Sequence, residues 1–448
     1  MPPRFATTLG RLRQDLAGCL SPDAVRAACR AAGHHWRDRV LDPVSTVYLF
    51  LMQVLHGNTA CQHVVHFGGW SFTASAYCQA RRRLPLAVLQ HLLEGTAAAL
   101  RQATDGALWR GHRVWLVDGS SFSMPDTAEL RRHFGQPAAQ KPGCGSPVAR
   151  LLVWVDASTG MLLRAAAAPL RTHDSKMARD VPGLDPGDVV VGDRGFSSYA
   201  HLALLAARGV FAVFRVHQRV RVNFTPGRGF VLTEFRLNPE GLPRSRWVRA
   251  LGACDQVVEW IKPGEWPAWL GAEAYRALPE ALPVRELRYK VAWPGFRTRE
   301  VTLVTTLLDA AAYPAESLAE VYGLRWRVET GLRHLKVTMK MDILKCETVD
   351  GVLKELSVFA LAYNLVRSVM YESAARRGVP PERVSFVDAL RWLGGPEGGA
   401  EGVRLRVNPE RPGRAEPRVR KRRPKQWPRM MEPRSELRKR LRDNPDAA

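Results

Sequence analysis

Tyr322, Arg325, Glu329 and Lys336 fall at offsets of 0, +3, +7 and +14 in a stretch that reads as one long helix. At about 100° per residue these offsets place all four within roughly 60° of arc, a polar stripe with one carboxylate between two cations and a phenol. Such a stripe can hold a metal and a phosphate together. Val321, Leu324, Val328 and Leu335 lie on a neighbouring arc, giving the helix an apolar face to dock on a core. Taken alone, the stripe also fits a solvated face with ordinary i,i+4 charge pairs.

Two aspartates further up the chain favour the chemical reading. Asp118 follows the apolar run 114–117 and precedes Gly119-Ser120-Ser121, which places it at the C-terminal end of a buried strand with room beside it. Asp193 follows Val189-Val190-Val191-Gly192 in the same way and leads into Arg194-Gly195-Phe196. Either alone fits a turn former or a helix cap. Two strand-end aspartates in one sheet, with a glutamate on a later helix, are better explained as oxygen ligands converging on hard cations. Phosphodiester chemistry asks for such a set: a nucleophilic water or 3′-hydroxyl, a stabilised transition state and a leaving oxyanion can all be served by two Mg²⁺ ions about 3.5–4 Å apart. Without cations the three carboxylates repel one another and their pKa values rise. Arg325 and Lys336 would offset the charge of a phosphate.

Positioning these groups requires a sheet and helices, and the hydrophobic periodicity supplies both. Residues 1–105 read as a helical domain with helices at 9–20, 21–32, 43–55, 60–66, 71–83 and 85–102. The stretch from Asn58 to the helix ending Arg81-Arg82-Arg83, with Ser71 as N-cap, has a helix-turn-helix layout; these three arginines either contact DNA or complement the helix dipole. Strands follow at 113–117, 150–155 and 161–167, the last two joined by a tight turn through Asp156 and Ala157-Ser158-Thr159-Gly160. A helix at 173–181, a strand at 188–191, a helix at 198–208 and a strand at 210–216 complete a mixed α/β layer over 106–216. Residues 217–300, with Trp247, Trp260, Trp266, Trp269 and Trp293, read as a β-rich insertion subdomain. The strand 301–307, the polar-striped helix and the apolar helices 352–376 and 386–393 make up a second part of the core over 301–395. From 396 to 448 the chain is basic and Pro-rich; between 401 and 448 sixteen basic residues face seven acidic ones with almost no apolar periodicity, so this tail is expected to be disordered by itself.

Sixty-six basic against 43 acidic residues give a net charge of +23, which draws the protein to a polyanion, nucleic acid first. Seven cysteines, at 19, 29, 61, 78, 144, 254 and 346, include no Cys-x-x-Cys pair and no histidine at zinc spacing, and read as reduced thiols of a cytoplasmic, nucleoid-associated protein. No export signal or membrane-spanning window is visible. There is no phosphate-binding loop of the ATPase kind, and Ser120 and Ser121 have no partner spacing for nucleophilic hydrolysis. His173 and Asp174 lie near a helix start, where capping is the simpler role for the aspartate.

Asp118 in Val-Asp-Gly-Ser, Asp193 in Gly-Asp-Arg-Gly-Phe, and the Tyr322-x2-Arg325-x3-Glu329-x6-Lys336 spacing resemble the DDE transposases of bacterial insertion-sequence family four, over residues 114–336. The resemblance implies a ribonuclease-H-like fold, dependence on Mg²⁺ or Mn²⁺ with two ions, and cut-and-paste transposition of double-stranded DNA by a homodimer that pairs the element's terminal inverted repeats. It makes Asp118, Asp193 and Glu329 the catalytic metal triad, and Tyr322, Arg325 and Lys336 contacts to the DNA end. Relatives of this kind can pass through a DNA hairpin with a tryptophan stacked on a flipped base. Trp293 is the candidate for that role, with subdomain core as its alternative. Two rivals are a repurposed, inactive transposase that only binds specific DNA and a nuclease that cuts without strand transfer.

Overall fold

The computed structural model describes residues 18–67, 71–103, 108–137, 141, 143–179, 183–232, 242–291, 300–394, 405–410 and 431–444. The expected helix at 9–20 lies almost wholly outside these residues, as do Gly68-Gly69-Trp70, Trp293 and most of the tail.

The N-terminal helices are α1 (Pro22–Ala31), α2 (Pro43–Leu55), α3 (Cys61–Val64), α4 (Ala74–Arg83) and α5 (Leu86–Ala103). Their starts are written in the chain. Ser21 and Asp42 each precede a proline at the first helical position, and their side chains accept from the Ala24 and Ser45 amides. All thirteen residues of α2 are buried, which explains why its sequence is apolar on every face. α4 starts later than expected: Thr73, not Ser71, caps it by accepting from the Ala76 amide. α2 and α5 pack on α12 (Val349–Arg377), a 29-residue helix capped by Thr348 and closed by Gly378 in the left-handed conformation.

One nine-stranded sheet carries the rest: β1 (Val114–Ser123), β2 (Val148–Asp156), β3 (Leu162–Pro169), β4 (Val189–Gly192), β5 (Phe211–Arg215), β6 (Ser245–Gly252), β7 (Asp255–Ile261), β8 (Ala281–Lys290) and β9 (Glu300–Thr305). The order is 3-2-1-4-5-9-8-7-6. β2 runs antiparallel to β1 and β3, whereas β1, β4 and β5 are parallel to one another, so the first five strands have the ribonuclease-H-like arrangement. Both faces are covered. Val114 and Leu116 enter one core with Val328, Leu332 and Leu335, while Trp115 and Val117 enter the other with Leu152 and Trp154.

Four features differ from the sequence reading. β1 does not stop before Asp118 but runs on to Ser123, because β2 keeps pairing with it from Trp115↔Asp156 to Ser123↔Val148. The strands within 217–300 do not stand apart from the sheet; β8 pairs with β9 and β7 and β6 follow, extending the sheet outward. The single long helix expected around Glu329 is two helices, α10 (Ala315–Gly323) and α11 (Arg325–Arg333), followed by a π-helical turn at His334–Thr338. Within the tail, Arg434–Asp443 is helical, and Arg434 reaches Ser146 at 3.2 Å and Asp126 at 3.8 Å.

The N-terminal helices are tied to the body through Glu355 on α12, a carboxylate only 1% exposed. It accepts from the amides of Lys345 (3.0 Å) and Cys346 (2.9 Å) and from Asn58 Nδ2 (2.5 Å). Glu355→Ala orphans all three donors and is expected to cost about 3 kcal/mol in chemical denaturation, with Glu355→Gln costing less because one acceptor oxygen remains.

Candidate active site

β4 pairs with β1 only as far as Leu116↔Val191 and ends at Gly192, so beyond Leu116 the β4 flank of β1 opens. Asp118 and Asp193 stand at that opening. Asp118, half-buried, accepts from the Gly119 amide at 2.9 Å. Asp193 begins the turn after β4 and accepts from the Gly195 amide at 2.8 Å. Phe196 anchors this turn in the core, and His201 Nδ1 lies 3.0 Å from the Phe196 carbonyl. Gly192 makes the packing possible: a Cβ there would lie 2.9 Å from the Phe196 ring and 3.0 Å from Val117.

α11 crosses the same opening. Strand alternation turns Asp118 and Ser120 toward it, and Lys336 in the π-helical turn donates from Nζ to Ser120 Oγ at 3.0 Å. Arg325 Nη1 meets Glu329 Oε1 at 2.5 Å, with its guanidinium over the rings of Tyr322 (5.7 Å) and Trp326 (5.3 Å). Tyr322 is buried, and burial pushes its phenol up despite Arg325 beside it. The Asp118 carboxyl is pushed up to about 6: burial is the main cause, the charges of Asp193 and Glu329 add to it, and the Gly119 amide and Arg325 oppose it. Three carboxylates distant in sequence therefore share one field, with Arg325 inside it.

The donor set suits a hard divalent cation, since all three groups offer carboxylate oxygen and the most buried of them gains from a positive neighbour. Among the described residues no three acidic, histidine or cysteine side chains already stand together as a closed ligand set. Glu329 pairs with Arg325, and Asp193 accepts from its own turn.

On the other face of the sheet Asp174, the first residue of α7 (Asp174–Arg179), does not cap its helix but pairs through both oxygens with Arg150 of β2. Nothing in the spacing of the chain marks this pair: Arg150 opens the strand expected at 150–155, and its place on the face shared with Gly119 follows from the pairing of β1 with β2.

Arg81, a candidate DNA contact, is not placed for that role. Its guanidinium donates to Gln53 Oε1 (3.0 Å), Cys61 Sγ (3.6 Å) and Cys346 Sγ (2.9 Å) and covers Phe50 at 3.9 Å. A late-helix arginine run looks like one basic face, but successive residues point about 100° apart and the first of these turns inward. Arg82 and Arg83 are exposed. Trp293 lies outside the described residues.

Residues 109–365 match the protein family described as Transposase DDE domain. The chain is 25% identical over 384 residues to the transposase InsG for insertion sequence element IS4 of Escherichia coli K12, covering 79% of this chain and 78% of that protein. It is 20% identical over 274 residues to the transposase for insertion sequence element IS231C of Bacillus thuringiensis subsp. berliner, covering 54% of this chain and 55% of that one. Among solved structures, a cryo-EM piggyBac transposase synaptic complex with hairpin DNA aligns with a TM-score of 0.41 and 10% identity, over 86% of this chain and 80% of that one. No helix among the described residues is long and apolar enough to cross a membrane.

Two outcomes are expected. The folded-state pKa of Asp118 is raised, so its contribution to stability is full below the unfolded value near 4 and is lost as pH rises through about 6. In EDTA, Asp118→Asn should therefore raise the free energy of urea unfolding at pH 8, by up to about 2 kcal/mol after allowing for its partial exposure, and the gain should vanish near pH 4. Arg81→Ala should lower stability by about 2 kcal/mol or more by stripping a donor from a buried network, while Arg82→Ala and Arg83→Ala leave the unfolding free energy within about 0.5 kcal/mol.

Proposed function

The chain belongs to the DDE transposase family, among the transposases of insertion-sequence family four, and on that premise we propose that this DNA transposase cleaves the ends of its element and joins the freed 3′-hydroxyl to target DNA in a metal-dependent, cut-and-paste reaction. The observation that supports the reading is the mutual electrostatic influence of Asp118, Asp193 and Glu329: burial raises the Asp118 carboxyl, and the charges of the other two add to it.

Asp118, Asp193 and Glu329 would hold the Mg²⁺ or Mn²⁺ ions. When bound, two such ions activate the attacking oxygen and stabilise the leaving one. The chain's own residues do the rest. Lys336, steadied by Ser120, directs an ammonium along the sheet toward the scissile phosphate. Arg325, once Glu329 turns to a cation, has its donors available for the DNA backbone, and the buried Tyr322 ring beneath limits how far it can swing. Neither a covalent protein intermediate nor ATP is required. Arg82 and Arg83, with the positive charge of the whole chain, hold flanking DNA, and two copies of the chain pair the two ends of the element.

Purified protein, a labelled duplex bearing the inverted repeat that borders its gene, a target plasmid and Mg²⁺ test the reading together. The wild-type chain should give cleaved and then joined product. Asp118→Ala, Asp193→Ala and Glu329→Ala, or removal of Mg²⁺, should each reduce cleavage about a thousand-fold or more while end binding persists, since several kcal/mol of transition-state stabilisation go with the metal site. Undiminished Mg²⁺-dependent nicking by any of the three variants would remove that residue from the triad.

A further inference from the structure

The family signature places cations on only one side of the carboxylates. Arg325 and Lys336 both come from the α11 side, facing Asp118 and Ser120. On the opposite side of β1, facing Gly119 and Ser121, stands the Arg150–Asp174 pair. Arg150 lies directly across the ladder from Ser121. Its Nε donates to Asp174 Oδ1 at 2.6 Å and its Nη2 donates to Oδ2, a two-point grip that fixes the plane of the guanidinium. Asp174 is pressed against the strand: a Cβ on Gly119 would come within 2.9 Å of Oδ2, so the residue next to Asp118 leaves just enough space for this carboxylate.

We infer that Arg150, braced by Asp174 behind Gly119, is a phosphate-contacting residue that reaches the DNA end from the sheet side of the site. Its position supports this. The Asp174 grip uses two of the five guanidinium N–H groups, and Nη1 has no hydrogen-bond partner among the described residues. The Arg150 side chain keeps 36% of its surface in solvent while that of Asp174 keeps 14%, so the carboxylate forms the buried base and the cation the exposed tip. The charges of Asp118 and Asp193 both act on Arg150, after that of Asp174, which puts the tip within electrostatic reach of the reacting groups. A guanidinium already locked in plane loses little freedom on meeting a phosphate oxygen, whereas a mobile surface arginine would have to be ordered at that moment.

The inference rests on the proposed function, and the experiment separates the two. Binding of the full chain to a fluorescein-labelled duplex ending in its inverted repeat is measured by anisotropy in Ca²⁺ across a series of salt concentrations, beside a scrambled duplex. Each phosphate contact contributes about 0.9 to the slope of log affinity against log salt. Arg150→Ala and the milder Arg150→Gln, which can still donate to Asp174, should each lose about 0.9 of slope. Arg150→Lys and Asp174→Asn, which keep the cation, should retain it. Unchanged slopes in the Ala and Gln variants, or an equal loss in Asp174→Asn, would reduce the pair to a structural brace and overturn the inference. A wild-type chain that holds the repeat no more tightly than the scrambled duplex would count against the proposed function itself, and the inference would fall with it.

Discussion

Carboxylates withdrawn from water beside one another are tolerated only where positive charge stands near, and that constraint organises the centre of this protein. Asp118 lies on a central strand, half-buried, facing the charges of Asp193 and Glu329. An isolated ionised carboxylate in such a place is strongly disfavoured. Arg325 on one side of β1 and Arg150 on the other offset the repulsion in part. The Asp118 carboxyl nevertheless stays high, chiefly through burial, so its ionised form would gain from a divalent ion in the place where the proposed reaction needs one.

The scaffold can be read as the means of imposing that proximity. Two parallel strands whose ladder stops early leave an opening, and each delivers an aspartate to it. α11 brings the third acid from more than a hundred residues away, docked by Val328, Leu332 and Leu335 on the same core that receives Val114 and Leu116. Behind α11, α12 is clasped by the N-terminal helices and anchored at Glu355, so those helices share one core with the helix that carries Glu329. Strands β6 to β8 lengthen the sheet beyond β9 and bring the segment between Asp193 and Glu329 into the same hydrogen-bonded ladder.

Local signals in the chain were legible and non-local ones were not. The bounds of α2 could be read to the residue, since Asp42 and Pro43 mark its start and a largely apolar run up to Leu55 its length. Asp193 sits where the short valine run placed it, and Ser198 caps the helix after it by accepting from the His201 amide. The extension of β1 through Gly119-Ser120-Ser121 was hidden, because those residues have little strand preference and are held by pairing with β2. The inward turn of Arg81 depends on Gln53 and on Cys346, 265 positions away, and the Arg150–Asp174 contact spans 24 positions. The polar stripe was recognisable by spacing, yet the break at Leu324 and the π-helical turn alter its phase before Lys336. Lys336 still reaches the strand, through Ser120.

The two arginine–carboxylate pairs flanking Asp118 are built to different strengths, and the order of residues explains the difference. Arg325 precedes Glu329 by four positions on one helix, which is the weaker orientation of an i,i+4 pair, worth a few tenths of a kcal/mol at most. The Glu329 side chain is 37% exposed, so water screens the contact further. Arg150 and Asp174 come from a strand and a separate helix, meet through two hydrogen bonds and have a carboxylate that is 14% exposed. Breaking that pair would strand a charge against the Gly119 backbone; breaking the helical pair returns the glutamate to solvent, while the Arg325 side chain, 13% exposed, stays largely buried where the charge of Asp118 also acts on it. The helix side can therefore release its glutamate with Asp118 left to offset Arg325, while the sheet side holds its geometry. In the proposed reaction an acid that turns to a metal is best placed on the yielding side, where Glu329 stands.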